Sequence, residues 1–149
     1  MGTVLDSPSF PQPAPPRKKY AVVIGIVYQS SDFGIIKHTD DDAATVDTLL
    51  TQKWGYPREN VLTLLNEQAT NENIINALRW LATNPDIDEN TDVVFYYSGH
   101  GIRNGAGINA PPSFDQGAAL VPYDYANFDF RTGNGLVWDG ELYLYLGQV

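Results

Sequence analysis

Residues 92–101 read Asp92-Val93-Val94-Phe95-Tyr96-Tyr97-Ser98-Gly99-His100-Gly101, an apolar and aromatic run that ends abruptly in a glycine-flanked histidine. Such a run is typical of a strand buried in a parallel sheet, and α/β proteins bind ligands at the carboxyl edge of that sheet. The two glycines let a substrate approach both the imidazole and the Gly101 amide, as a general base beside an oxyanion site requires. For a lone histidine, however, a hydrogen-bonded loop residue is the commoner interpretation.

The preceding residues alternate between strand and helix patterns. Residues 20–28 form a nearly continuous β-branched run, and residues 60–65 give a second strand pattern. Apolar residues at helical spacing follow each strand, between residues 40 and 55 and between residues 70 and 84. The order β-α-β-α-β predicts three parallel strands with right-handed crossovers, so the predicted fold class is α/β.

The residues after Gly101 have a weaker pattern. Glycines and prolines predict a long loop, which is followed by a short strand at 118–124 and a second loop at 127–135. Residues 137–146 then have the pattern of a helix with an apolar face. We expect this half of the chain to carry loops and short elements around the histidine.

Composition restricts the possible functions. The 149 residues suit one domain, and the net charge of -9 disfavours a nucleic-acid partner and favours basic peptides. No apolar run approaches the roughly 18 residues of a membrane span, and the N-terminus lacks a signal-peptide core. We therefore expect no membrane partner and a cytoplasmic location.

The N-terminal residues differ from the rest of the chain. Residues 1–19 carry five prolines and then the basic triplet of residues 17–19, a composition that favours extended, solvated conformations. The expected organisation is a proline-rich disordered leader at 1–19 and one domain at 20–149. A proline-rich ligand for a partner is a less common meaning of such a segment.

Residues 96–101 resemble the histidine motif of the caspase-like cysteine peptidases, specifically of the metacaspases and their bacterial relatives. Other segments resemble this family in order and spacing, namely residues 22–26, 41–43, 78–81, 120–125 and 137–142. The resemblance covers about residues 20–146. It implies a caspase-like (caspase-haemoglobinase) three-layer sandwich with a mainly parallel central sheet.

The chain contains no cysteine, although the family's nucleophile is a cysteine on the next core strand. Caspase-like sequences place it roughly 50 residues after the histidine, and only 49 residues follow His100. We expect the chain to stop just short of the cysteine strand, so that the sheet is incomplete. The cysteine then belongs to a following or partner chain, such as a small subunit; alternatively, the protein is a cysteine-less, non-catalytic interaction or regulatory domain.

The resemblance also implies roles for individual residues. His100 would be the acid–base residue of a cysteine endopeptidase, and the Gly101 amide would belong to the oxyanion hole. Asp42 matches the pocket aspartate with which metacaspases select Arg or Lys at the cleaved position. From the residues alone, a helix N-terminal acid that only offsets the helix dipole is the favoured explanation, and the resemblance reverses that preference.

Many metacaspases need calcium, and the resemblance points to Asp124 and Asp139 as candidate ligands. Gly140 stands where the family's paired aspartate usually falls. Further oxygen donors are available at Asp115, Asp129 and Glu141, although scattered surface acids commonly serve solubility alone.

Overall fold

The structure of the chain is a computed structural model that describes residues 16–28, 34–103, 117–125 and 135–149. In chain order its strands and helices are β1 (Lys18–Gly25), α1 (Thr39–Gln52), β2 (Val61–Leu65), α2 (Asn71–Thr83), β3 (Thr91–Ser98), β4 (Gly101–Arg103), β5 (Ala118–Leu120), β6 (Val137–Trp138) and α3 (Asp139–Leu146). The first five elements are the β-α-β-α-β series that the sequence predicts.

The main sheet has the strand order β2-β1-β3, and all three strands are parallel. β1 is central and pairs with β3 along its whole length, from Lys18 opposite Thr91 to Gly25 opposite Ser98. From Tyr20 to Gly25 the strand is buried, because side chains on both faces of the sheet are covered. β3 has a partner on one side only among the described strands, and its residues from Asp92 to Ser98 are half-buried.

Helices cover both faces of this sheet. Ala21 and Val23 of β1 point to the face on which α1 packs, whereas Val22 and Ile24 point to the face covered by α2. Burying each of the valine and isoleucine side chains contributes roughly 1.5–3 kcal/mol. The three layers are those that the family resemblance implies, and the fold is α/β and caspase-like.

The start of α1 lies directly against the end of β1. A Cβ atom on Gly25 would lie 2.5 Å from the Thr39 carbonyl oxygen and 2.6 Å from the Ala43 Cβ. The hydroxyl of Thr39 also donates a 2.5 Å hydrogen bond to the Ile26 carbonyl. The first turn of α1 is therefore fixed at the carboxyl edge of the sheet, which is the edge where β3 ends.

A small antiparallel sheet of order β4-β5-β6 follows the histidine. The sequence predicts a loop after Gly101, but residues 101–103 form β4 and pair with β5. It also predicts a helix from residue 137, whereas Val137 and Trp138 form β6 and the helix begins at Asp139. Strands of two or three residues are too short to produce an alternating pattern, so sequence periodicity does not reveal them.

The basic triplet of residues 17–19 belongs to the folded part of the chain. Arg17 Nε lies 2.5 Å from an Asp92 carboxylate oxygen, and Lys18 Nζ lies 3.2 Å from Asp88. The proline-rich part of the predicted leader, residues 1–15, lies outside the described residues. Among the helices of the described ranges, none combines the length and the apolar character that crossing a bilayer requires.

Candidate active site

His100 lies at the carboxyl end of β3, and its side chain is only partly buried. Its Nε2 atom is 2.8 Å from the carbonyl oxygen of Gly34, which belongs to the segment between β1 and α1. A carbonyl oxygen can only accept a hydrogen bond, so Nε2 carries the proton of the neutral ring. The lone pair of the neutral imidazole is then on Nδ1, the atom able to take a proton from a nucleophile.

Two tyrosines contact His100. The Tyr28 ring lies 4.5 Å from the imidazole, centroid to centroid, at an interplanar angle of 51°. The Tyr97 hydroxyl is 2.9 Å from the His100 carbonyl oxygen and 3.1 Å from the Tyr28 hydroxyl. Burial raises the pKa of both tyrosines, so both hydroxyls stay protonated at neutral pH.

Sequence reasoning missed Tyr28, Tyr97 and the Gly34 carbonyl as parts of the histidine's surroundings. A signal for Tyr28 was present, because it is the last residue of a strand predicted to end at the same sheet edge as the histidine strand. No pattern marks Gly34, since a backbone carbonyl is available at every position. Its role depends on how the segment between β1 and α1 folds.

The two glycines around His100 have different roles. A Cβ atom on Gly99 would lie 2.6 Å from the Tyr97 hydroxyl oxygen, a separation that real side chains essentially never show. Gly99 therefore permits Tyr97 to fold back onto the turn that precedes His100. A Cβ on Gly101 would be 3.6 Å from the Ala119 carbonyl oxygen, which is an ordinary contact.

Asp42 lies in the first turn of α1, at the same edge of the sheet as His100. The carboxylates of its two acidic neighbours are engaged, since Asp40 accepts from Asn66 at 3.2 Å and Asp41 contacts His38 at 3.1 Å. The Asp42 side chain is exposed, and it makes no hydrogen bond or ion pair with the described residues. The Asp42 carboxylate could therefore bind a ligand. An acid that only interacts favourably with the helix dipole would also have no side-chain partner, so this observation fits both roles.

Asp124 and Asp139 bind backbone amides. Asp124 accepts a 2.8 Å hydrogen bond from the Asn71 amide at the start of α2. Asp139 accepts from the Ala118 amide at 3.3 Å and from the Gly140 amide at 2.9 Å. No group of three or more histidine, aspartate or glutamate side chains in the described ranges is placed to hold a metal ion. Asp115 and Asp129 lie outside these ranges.

A histidine held at the end of a sheet strand, within three layers, is the arrangement expected of a caspase-like domain. The crystal structure of protein GSU0716 from Geobacter sulfurreducens matches 88% of this chain and 45% of its own chain, with a TM-score of 0.62 and 21% identity. That similarity concerns the fold.

The family model for the metacaspase, peptidase C14 domain matches residues 18–145, so the chain belongs to this family. It is 32% identical over 121 residues to Metacaspase-3 of Arabidopsis thaliana, covering 77% of this chain and 32% of that protein. It is 33% identical over 128 residues to Metacaspase-1A of Aspergillus niger, covering 82% of this chain and 30% of that protein. The chain thus spans about a third of the length of these relatives.

Proposed function

We propose that this chain is the histidine-bearing part of a cysteine endopeptidase that cleaves after Arg or Lys, with the cysteine supplied by a following or partner chain. The observation that carries the proposal is the hydrogen bond from His100 Nε2 to the Gly34 carbonyl. It places a proton on Nε2, so the basic nitrogen of the neutral ring is Nδ1. Membership of the metacaspase, peptidase C14 family supports the same chemistry.

In the proposed mechanism the cysteine thiol gives its proton to His100 Nδ1, and the thiolate attacks the peptide carbonyl carbon. The oxyanion that forms accepts a hydrogen bond from the Gly101 amide. The imidazolium then donates the proton to the leaving amine, which leaves an acyl-cysteine. Water attacks this thioester while Nδ1 accepts its proton, and the cysteine leaves as thiol when the carboxylic acid is released.

The open edge of β3 is the proposed position of the cysteine strand. Among the described strands β3 pairs only with β1, and its apolar side chains are half-buried. Parallel neighbours end at the same edge of a sheet, so a strand added beside β3 would deliver a residue next to His100. A half-covered apolar strand with unpaired backbone groups also gains stability from such a neighbour.

Asp42 is the proposed contact for the cationic side chain of the substrate. A carboxylate that is exposed and has no hydrogen bond or ion pair with the described residues can pair with Arg or Lys, and it repels a substrate aspartate. The net charge of -9 also favours the binding of basic peptides and proteins.

The residues proposed for calcium do not form a calcium site by themselves. Calcium takes about six to eight oxygen ligands, whereas Asp124 and Asp139 each bind backbone amides and no third acid joins them within the described part of the chain. Calcium dependence therefore stays a prediction, and no step of the mechanism uses the ion. The cytoplasmic location and the absence of nucleic-acid and membrane partners also stay predictions.

The second candidate is a non-catalytic, caspase-like interaction domain, favoured by the absence of cysteine from all 149 residues. Reporter peptides with Arg, Lys or Asp at the cleaved position distinguish the peptidase from the interaction domain. The chain is assayed with its cysteine-bearing partner, with calcium added or chelated. Cleavage after Arg and Lys supports the peptidase, whereas cleavage after Asp contradicts the pocket. If no peptide is cleaved under any condition, the interaction domain is the better explanation.

A further inference from the structure

We propose that Tyr28 and Tyr97 are a positioning pair for His100: one fixes the plane of its imidazole and the other fixes its backbone. The inference rests on the proposed function of His100 as a proton carrier, because a positioning pair has catalytic meaning only if the ring transfers protons. Neither tyrosine is proposed to touch the substrate.

Tyr97 controls the backbone of the turn that carries His100. It is the penultimate residue of β3, and its ring folds back over Gly99, where no Cβ could be accommodated. Its hydroxyl lies 2.9 Å from the His100 carbonyl oxygen and 2.8 Å from the Val121 carbonyl oxygen. The Val121 amide also donates to the His100 carbonyl, at 3.0 Å. The backbone at His100 is therefore tied to the segment that follows β5.

Tyr28 controls the imidazole. Its ring packs against that of His100 at 4.5 Å, while the Gly34 carbonyl oxygen lies 2.8 Å from Nε2. A ring restrained on its face and at one nitrogen has little freedom to rotate about χ2, so the direction of Nδ1 is fixed. The Tyr28 ring is itself held, because its hydroxyl donates to the Val121 carbonyl.

The number of available protons limits the hydrogen bonds of the tyrosine pair. Each hydroxyl carries one proton, and two carbonyl oxygens, those of His100 and Val121, lie within reach of the pair. If Tyr28 donates to Val121, then Tyr97 satisfies the His100 carbonyl, and both protons are used. Burial raises the pKa of both tyrosines, so both hydroxyls keep the protons that they donate.

Tyr96 is a matched control on the same strand. It is adjacent to Tyr97 in sequence but points to the opposite face of the sheet, where it packs with Val94 against the α1 layer. Its hydroxyl makes no hydrogen bond with the described residues. Tyr96→Phe and Tyr97→Phe therefore remove the same atom from neighbouring positions, and only the second removal concerns His100.

The kinetic test compares Tyr97→Phe, Tyr28→Leu and Tyr96→Phe in the complete protein with its cysteine-bearing partner. We expect kcat to fall on the order of 10-fold for Tyr97→Phe and Tyr28→Leu with KM within about 2-fold, because the ring is misdirected while substrate contacts persist. Tyr96→Phe should leave both parameters unchanged. Equal effects of Tyr96→Phe and Tyr97→Phe would overturn the proposal.

A second measurement does not depend on peptidase activity. The order parameter of the His100 ring, from ¹³C relaxation in the labelled protein, should be the same in the wild type and in Tyr96→Phe. It should be clearly lower in Tyr28→Leu, while the ring of His38 is unchanged. Tyr28→Phe, which keeps the ring, should retain most of the order.

The two readouts separate the failure of this proposal from that of the proposed function. If the wild type cleaves no peptide but the His100 ring loses order in Tyr28→Leu, the positioning pair stands and the peptidase proposal fails. If the wild type cleaves peptides but the order of the ring and kcat are unchanged in the tyrosine variants, the peptidase stands and the positioning pair is wrong.

Discussion

Three consecutive acids begin α1, and only one of them has a carboxylate without a partner among the described residues. Asp40 contacts Asn66 and Asp41 contacts His38, whereas Asp42 is exposed and makes no such contact. At the scale of single residues, this difference is the structural basis for assigning substrate selection to Asp42. It also supplies a control, because the neighbouring acid carries the same charge on the same turn.

Asp42→Asn should weaken cleavage after Arg by on the order of 100-fold, if the lost charged contact is worth about 3 kcal/mol. The measurement is kcat/KM for a reporter peptide with Arg at the cleaved position, with Asp41→Asn as the matched variant. Asp41→Asn removes an equal charge from the helix terminus, so a pure dipole or long-range effect would change both variants alike. Equal losses, or indifference to Asp42→Asn, would contradict the pocket assignment.

Gly25 provides a second residue-scale prediction. Gly25→Ala should destabilise the protein by about 1–3 kcal/mol, because the added methyl group meets the Thr39 carbonyl and the Ala43 side chain within 2.6 Å. These atoms belong to the start of α1 and cannot move without shifting the helix. Gly101→Ala is the control and should change stability by no more than about 0.5 kcal/mol. The check is the free energy of unfolding of the two variants, measured by denaturant unfolding. Equal values would show that the start of α1 shifts to accommodate the added methyl group at little cost.

At the scale of elements, the free side of β3 is the feature with the largest consequence. Its backbone groups on that side are unpaired by any described strand, and its apolar side chains are only half-buried. We expect the 149-residue chain alone to self-associate, because such an edge can pair with another copy. Sedimentation analysis over a concentration series measures this. A dispersed monomer that unfolds cooperatively would instead support a cysteine-less domain that stands alone.

The start of α3 gives a pH-dependent prediction. Burial raises the pKa of Glu141 above its ordinary 4.5, and its carboxylate accepts a 2.9 Å hydrogen bond from the Trp138 amide. Well below pH 4.5 both the folded and unfolded states hold the proton. As the pH rises, the unfolded state ionises first, so the contribution of Glu141 to stability falls until the folded-state pKa is passed.

Glu141→Gln should abolish this fall in stability above pH 4.5 while keeping an oxygen to accept from Trp138. The check is the free energy of unfolding measured from pH 4 to pH 8. Glu72→Gln, an exposed acid in the first turn of α2, is the control and should keep the pH dependence of the parent chain. An unchanged pH profile for Glu141→Gln would show that the burial of this side chain is not maintained in solution.

At the scale of the whole molecule, the sequence predicts the main sheet better than the surroundings of the histidine. The continuous apolar run of β1 and the two amphipathic helices have strong periodic patterns, because burial on one or two faces dictates them. The short strands β4 and β6 have no such pattern, and their pairing arises only when distant segments meet. The same reason explains why the contacts of Gly34 and Tyr28 with His100 were not predicted.

The position of His100 at a sheet edge was predictable because a buried strand ends in glycine-flanked residues there. The tautomer of its ring was not predictable, since the proton on Nε2 is fixed by a backbone carbonyl 66 residues earlier in the chain. The assignment of Asp42 came from family resemblance, and the structure adds that its carboxylate has no partner among the described residues. Its pairing with a substrate cation stays a prediction.

The most direct test of the proposed function uses a reporter peptide with Arg at the cleaved position. Its cleavage is measured with the reconstituted protein carrying His100→Ala. We expect cleavage to be abolished while the free energy of unfolding stays within about 1 kcal/mol of the wild type, as for a partly exposed site residue. His38→Ala, which removes the chain's other histidine, should cleave at the wild-type rate. Near wild-type cleavage by His100→Ala would contradict the acid–base role, and a loss of several kcal/mol in stability would show that the histidine is structural.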